Sequence, residues 1–237
     1  MNGKSIHWVS RLAALGLGVG LTAGFAVAGV AQSVAGQAYS TYVNTPLASS
    51  GQSPLAVLPA ISGTDGAEAD AEGSALSVAN TLSSDFLNSI TSGELGTAEA
   101  GAQSTASAAD LNLLNGLITA DEVIANVVSS WTASGAVSSA DGSTLQNLVV
   151  AGTPVTTGDG WVAPNTQIGL PGVGYVVLNE QVPTGDGVAS SGLTVNMIHV
   201  YLQSLTGGGC TLLGCVPGVL TTAGEIIVGS ATSSVGP

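Results

Sequence analysis

Two carboxyl groups set across a cleft are enough to hydrolyse a glycosidic bond, one protonating the leaving oxygen while the other activates water or attacks the sugar. Glu180, Asp121 and Glu122 are the acids from which such a pair could be drawn. Glu180 shares strand parity with Val176, Leu178 and Val182, which predicts an inward-facing side chain. A buried glutamate without a cationic partner must raise its pKa or collect hydrogen bonds. Asn179-Glu180-Gln181 also reads as a strand end bonding neighbouring backbone. Aromatic residues, the usual sugar platforms, are only 4% of the chain, so no catalytic residue is assigned.

The remaining reactive side chains are few. His199 is the one imidazole beyond residue 7, and no Gly-x-Ser-x-Gly elbow supplies a serine for it to activate. It alternates with Val195, Met197 and Tyr201, which predicts a packed structural histidine. Cys210 and Cys215 enclose four residues and are expected to form a disulfide, because a metal site would need ligands the chain lacks. Asp65, Glu68, Asp70 and Glu72 offer hard oxygen ligands of the kind calcium takes. Their spacing is not that of an EF-hand, so the expectation is a solvated acidic loop with no cofactor, calcium being the one candidate. If a cation binds, Glu68, Asp70 and Glu72 would share one side of an extended strand.

Charge decides more than any motif. Lys4 and Arg11 are the only basic side chains apart from histidine, and all 15 carboxylates follow them, from Asp65 to Glu225. A body without lysine or arginine cannot neutralise phosphates, so nucleic acid is excluded as a partner. It also lacks the lysine needed for isopeptide, Schiff-base or P-loop chemistry. The two cations precede an apolar run, Leu12 to Val30, broken by glycines and followed by small residues at Ala31, Ala35 and Ala38. That is the form of a signal peptide over residues 1–31, although an uncleaved signal anchor is the same length. The rest is expected outside the cell, with no further membrane span and a mature start between Gln32 and Tyr39.

These residues must be positioned by strands and turns. About 200 residues suit one domain. Charged residues are 7% of the chain, and small and β-branched residues abound, a composition suited to an all-β fold. Asp-Gly pairs at 65, 141, 159 and 186 supply the positive φ of tight reversals. Strands are predicted at Leu145–Val150, Gly174–Val182, Leu193–Gln203 and Glu225–Ala231, the last two as antiparallel neighbours. Asn115-Gly116 predicts a hairpin, with strand preferred to helix from Leu117 to Val128. One short helix is expected over Ser74–Ile90, where Ala75, Ala79, Leu82, Phe86 and Ile90 recur at helical spacing. Residues 32–73 are expected as an N-terminal extended segment with the acidic loop, and 74–237 as the β-rich domain.

Four blocks carry a family likeness. They are Ala108–Val123, Leu145–Gly152, Leu170–Gln181 and a closing pair, Leu193–Val200 with Gly224–Ala231. In this order they resemble the choice-of-anchor P family over about Tyr39 to the C-terminus. The resemblance implies a secreted bacterial surface domain of unassigned activity, attached through differing C-terminal sorting signals. This sequence closes on Ser233–Pro237 without an LPxTG-like signal, so covalent sorting is not expected.

The combined expectation is an antiparallel β-sandwich-like domain with one short helix, a right-handed β-solenoid being the alternative. Function is expected to be structural or adhesive at the cell surface and non-catalytic, through self-association or binding of cell-envelope glycan. The alternatives are a secreted carbohydrate-active enzyme and a glycan- or calcium-binding module. Because no lysine or arginine ion pair can break in acid, the body should stay folded while its self-repulsion falls. Light scattering is predicted to rise as pH approaches the sequence pI of about 4.1. Unfolding near pH 5 before any association would contradict this.

Overall fold

Gly, Ser, Thr and β-branched residues at alternating positions build strands throughout the computed structural model. It describes residues 32–237 except 62, 63, 65, 159, 208, 212, 213 and 217, with 209–211 and 214–216 as backbone only. The expected signal peptide and Asp65 lie outside the described residues. In chain order the strands are β1 Ser33–Asn44, β2 Ser49–Val57, β3 Gly66–Gly73, β4 Leu76–Val78, β5 Leu82–Ser84 and β6 Phe86–Leu95. Then follow β7 Glu99–Leu113, β8 Ile118–Thr132, β9 Gly135–Ser139, β10 Thr144–Gln146, β11 Val149–Val150 and β12 Thr153–Pro154. The last six are β13 Thr166–Leu170, β14 Gly174–Gly185, β15 Ser191–Thr206, β16 Gly209–Thr211, β17 Gly214–Val216 and β18 Val219–Gly236.

The expected sandwich is present. One sheet has the order β13-β14-β15-β18-β1-β2. The other is centred on β7 and β8, with β6 and β5 along one edge of β7, and β9, β10 and β11 along the outer edge of β8. The sheets face each other through β1, β15 and β18 on one side and β6, β7 and β8 on the other. Neighbouring strands in both sheets run antiparallel, which rules out the solenoid alternative, whose coils would pair in parallel.

Two expectations are corrected. No helix occurs among the described residues. Over Ser74–Ile90 the chain forms β4, a turn at Asn80 (φ 58°), β5 and the start of β6. Serines and asparagines at 77, 80, 83, 84, 88 and 89 favour turns and strands over helix interiors, and period-two burial of Leu82, Ser84, Leu87 and Ser89 prevails. Residues 32–73 are extended but belong to the same domain as 74–237. β1 is an interior strand between β18 and β2, and the acidic segment is edge strand β3 rather than a loop.

Each sheet is creased along a row where left-handed backbone interrupts the ladder. In the first sheet Asn179 (φ 48°) on β14 and Gly229 (φ 66°) on β18 lie in one row with Met197 and Ser40, and the ladders resume in the same register beyond it. In the second sheet Asp110 (φ 51°) on β7 and Asn147 (φ 49°) play the same part. A strand that turns at such a residue changes which of its side chains face inward. Thus Ile226 and Val228 are buried before Gly229, and Ala231, Ser233 and Val235 after it. A side chain at 229 would lie 2.8 Å from Val123 Cγ1 of the opposite sheet, so glycine is required for packing as well as for φ.

The creases divide the interior. On one side Leu111, Leu113, Ile118, Leu145, Leu178, Ile198 and Ile226 form a Leu/Ile core. On the other, small and hydroxylated residues are interleaved with Leu87, Val127, Leu193 and Val195. Ser40 meets Ser89 at 3.1 Å, and Ser233 meets Ser129 at 2.7 Å, both between sheets. Thr91 and Ser104 bond at 2.9 Å beneath Gly36. Each pair contributes about 1 kcal/mol net, and far more is lost if one hydroxyl is left alone. Small residues let the sheets approach closely here, and Gly36 shows how closely. A Cβ at this position would overlap Thr91 Oγ1 and sit 2.9 Å from Ser104 Oγ.

Gly36→Ala is therefore expected to cost about 1–3 kcal/mol in urea unfolding. Gly51→Ala, where an added Cβ meets nothing within 4 Å, should stay within about 0.5 kcal/mol. Equal behaviour of the two variants would mean that the sheets are not held at this distance.

Candidate functional site

The crease in the first sheet builds a polar cluster on the face away from the core. Along one row lie Glu180 on β14, Asn196 on β15, Ser230 on β18 and Tyr39 on β1. Three residues beyond Asn196 is His199, which an unbroken strand would place on the opposite face. The break at Met197 brings both to the same side.

Glu180 takes three side-chain hydrogen bonds. His199 Nδ1 lies 2.7 Å from Oε2, Asn196 Nδ2 donates to Oε2 at 2.8 Å, and Tyr201 Oη donates to Oε1 at 2.7 Å. Asn196 Oδ1 in turn accepts from Ser230 Oγ at 2.7 Å. The other imidazole nitrogen, Nε2, lies 3.2 Å from Glu225 Oε2. Each imidazole nitrogen thus faces a glutamate oxygen, and His199 lies between the two carboxylates. Its ring stacks on Tyr201 at 3.9 Å, and Tyr201 on Tyr175 at 4.8 Å. The cluster thereby ties β14, β15 and β18.

These contacts set the acid strengths. The His199 hydrogen bond, reinforced by those of Asn196 and Tyr201, outweighs burial and lowers the Glu180 pKa to about 2. Burial and the Glu180 carboxylate push the Tyr201 phenol well above its ordinary value. Burial also raises Tyr39. At the β14–β15 turn, Asp186 Oδ1 accepts the backbone N–H groups of Val188, Ala189 and Ser190, which lower its pKa.

The parity expected for Glu180 is overturned. It does not face inward with Val176 and Leu178, because Asn179 turns the strand between them. His199 is packed as expected, 6% exposed, but it shares a face with Tyr201 and not with the core residues Val195 and Met197. Asp121 and Glu122 belong to β8 in the other sheet, each with its own amide partner, Asn147 Nδ2 at 2.7 Å and Gln146 Nε2 at 2.8 Å. They form no pair with Glu180.

Glu68, Asp70 and Glu72 are exposed on one side of β3, as expected for an extended strand. Asn88 Nδ2 reaches Asp70 and Glu72, both at 3.4 Å. Among the described residues no group of three or more His, Cys, Asp or Glu converges as a metal site. The carboxylates instead charge an edge strand, which discourages pairing with another sheet edge. Cys210 and Cys215 stand directly opposite each other in the β16–β17 ladder. Opposed residues of an antiparallel pair have Cα separations within the range a disulfide spans.

Sequence reasoning missed a groove of about 390 Å³ between the β9–β10 turn and the segment before β13. Ser139, Asp141, Trp161, Asn179, Gln181 and Leu193 help to line it. An isolated tryptophan beside an Asp-Gly turn was the available signal, and only folding brings it beside β14.

The Glu180 shift predicts a specific acid response. A folded-state pKa below the ordinary 4.5 stabilises the native protein fully above that value, and the contribution is lost as pH falls towards about 2. For this partly exposed group, after allowance for solvent screening, it amounts to about 1–2 kcal/mol. Glu180→Gln is expected to lower stability by that amount at pH 7, with the deficit closing as the wild-type carboxylate protonates. Urea midpoints across pH test it, and a pH-independent deficit would mean that shape rather than charge matters at this position.

Searches of protein-family models, curated proteins and solved structures find no match to the chain.

Proposed function

We propose that this protein is an exported, non-catalytic β-sandwich with a structural or adhesive role at the cell surface. The observation that carries the reading is the saturation of Glu180. A carboxyl group that protonates a leaving group needs a raised pKa, whereas three donors hold this one far below its ordinary value. Its position, tying three strands, suits cohesion. The Asp121 and Glu122 carboxylates are likewise engaged by amides.

Export is supported by the cation-led apolar segment and by the way β1 begins. Its ladder with β18 starts at Ser33 opposite Gly236, and Gly36 and Ala38 are packed between the sheets. Cleavage after Ala35 or Ala38 would strip part of an interior strand, whereas cleavage after Ala31 leaves β1 whole. The cysteine register fits an oxidised pair outside the cell. The likeness to the choice-of-anchor P family points the same way and rests on the sequence blocks alone.

Cell fractionation with intact-mass measurement tests the proposal. The exported form should begin at Gln32 and weigh two hydrogens less than its reduced form. A cytoplasmic protein beginning at Met1 would overturn export, and two alkylatable thiols in exported protein would overturn the disulfide. Polysaccharide hydrolysis that disappears in Glu180→Gln would overturn the non-catalytic reading.

A further inference from the structure

Trp161 is 73% exposed, although a stable fold usually buries most of a tryptophan. Its neighbours are fixed. Gly160 (φ 66°) lies against the backbone of Leu145, where an added Cβ would sit 2.5 Å from the carbonyl oxygen, and its own carbonyl accepts Leu145 N–H at 2.8 Å. Val162 is buried, and its carbonyl accepts Asn179 Nδ2 at 2.8 Å. The chain is thus clamped on both sides of an indole turned towards solvent, which is how a binding face is preorganised.

The polar groups beside it are ordered too. Asn179 Oδ1 accepts Gln181 Nε2 at 3.0 Å, and Asn165 Oδ1 accepts the Gln181 backbone N–H at 2.9 Å. Across the groove, the Asp141 main chain is held by Asn126 and Ser139. Among the described residues no donor engages the Asp141 carboxylate. Trp161, Asp141 and Gln181 thus line one cleft of about 390 Å³. That is at the small end of ligand sites, room for one or two sugar rings.

We infer that this groove binds a neutral glycan, one pyranose ring stacking on Trp161 while its hydroxyls bond Asp141 and Gln181. A pyranose presents a face of C–H groups and an equatorial rim of hydroxyls, which matches an indole with planar acceptors and donors at its edge. Charge selects the class of sugar. No lysine or arginine lies beyond Arg11, and Asp141 lines the groove, so uronates, sulfated sugars and teichoic-type phosphates are repelled. This inference deepens the adhesive reading above and rests on it, since it names what an adhesive surface would hold.

The test uses purified exported protein carrying Trp131→Phe, which leaves Trp161 as the reporting indole of the body. The probes are neutral hexasaccharides of glucose, galactose, mannose and N-acetylglucosamine, with oligogalacturonate as the anionic control. One neutral probe should shift Trp161 emission saturably while oligogalacturonate does not. In calorimetry on the otherwise wild-type chain, Trp161→Ala should weaken that binding about tenfold or more, and Trp161→Tyr should weaken it less. Asp141→Asn and Gln181→Ala should each weaken it about three- to tenfold, with circular dichroism unchanged. Silence towards all four neutral probes, or binding that survives Trp161→Ala, would overturn the inference. So would a dimer that dissolves on Trp161→Ala, which would make the indole a self-contact. None of these results bears on where the protein is exported or whether it hydrolyses polysaccharide, so this inference can fail while the broader reading stands.

Discussion

Every buried polar group in this body has to be satisfied without lysine or arginine, and that restriction shapes the interior. Proteins usually compensate buried carboxylates with long cationic side chains. Here the means are hydroxyls, amides, backbone N–H groups and one imidazole. Hydroxyl pairs join the sheets, and His199 is placed between two glutamates. Short side chains of this kind reach only a few ångströms. They work because the sheets are close.

Closeness and the polar cluster have a common origin in the creases. Left-handed residues at Asn179 and Gly229 let strands keep their register while changing the side chains they bury. Leu and Ile dominate one side of the sandwich, and the other mixes Ala, Ser and Thr with Leu87, Val127, Leu193 and Val195. The same change of phase carries Glu180 out of the core and onto the face with His199. Were β14 and β15 regular, these two side chains would lie on opposite faces and Glu180 would be buried without the imidazole beside it. The backbone irregularity thus resolves the conflict that the Glu180 parity posed.

The surface follows from the same restriction. Acidic residues spread over it keep like molecules apart, and on β3 they guard a sheet edge. The proposed recognition would accordingly use uncharged chemistry, through hydroxyls, amides and the Trp161 indole.

Fold class was legible from local chemistry. Asp-Gly and Asn-Gly turns, β-branched runs and scarce charge predict antiparallel strands, and the β7–β8 hairpin and the β15–β18 pairing follow because they depend on near neighbours or long continuous runs. The helix expected at Ser74–Ile90 fails because short apolar spacings fit two periods, and the choice falls to contacts with β7. The candidate site was legible only as separate residues. Glu180 and His199 were visible, but their meeting depends on a φ of 48° at Asn179, which asparagine permits without dictating. Trp161 carried no motif. Composition alone determined that the interior must do without lysine and arginine ion pairs, since the chain holds no such residue after Arg11. Which carboxylate receives the lone imidazole, and which indole stands beside a groove, was decided by long-range strand packing, because those partners lie far apart in sequence.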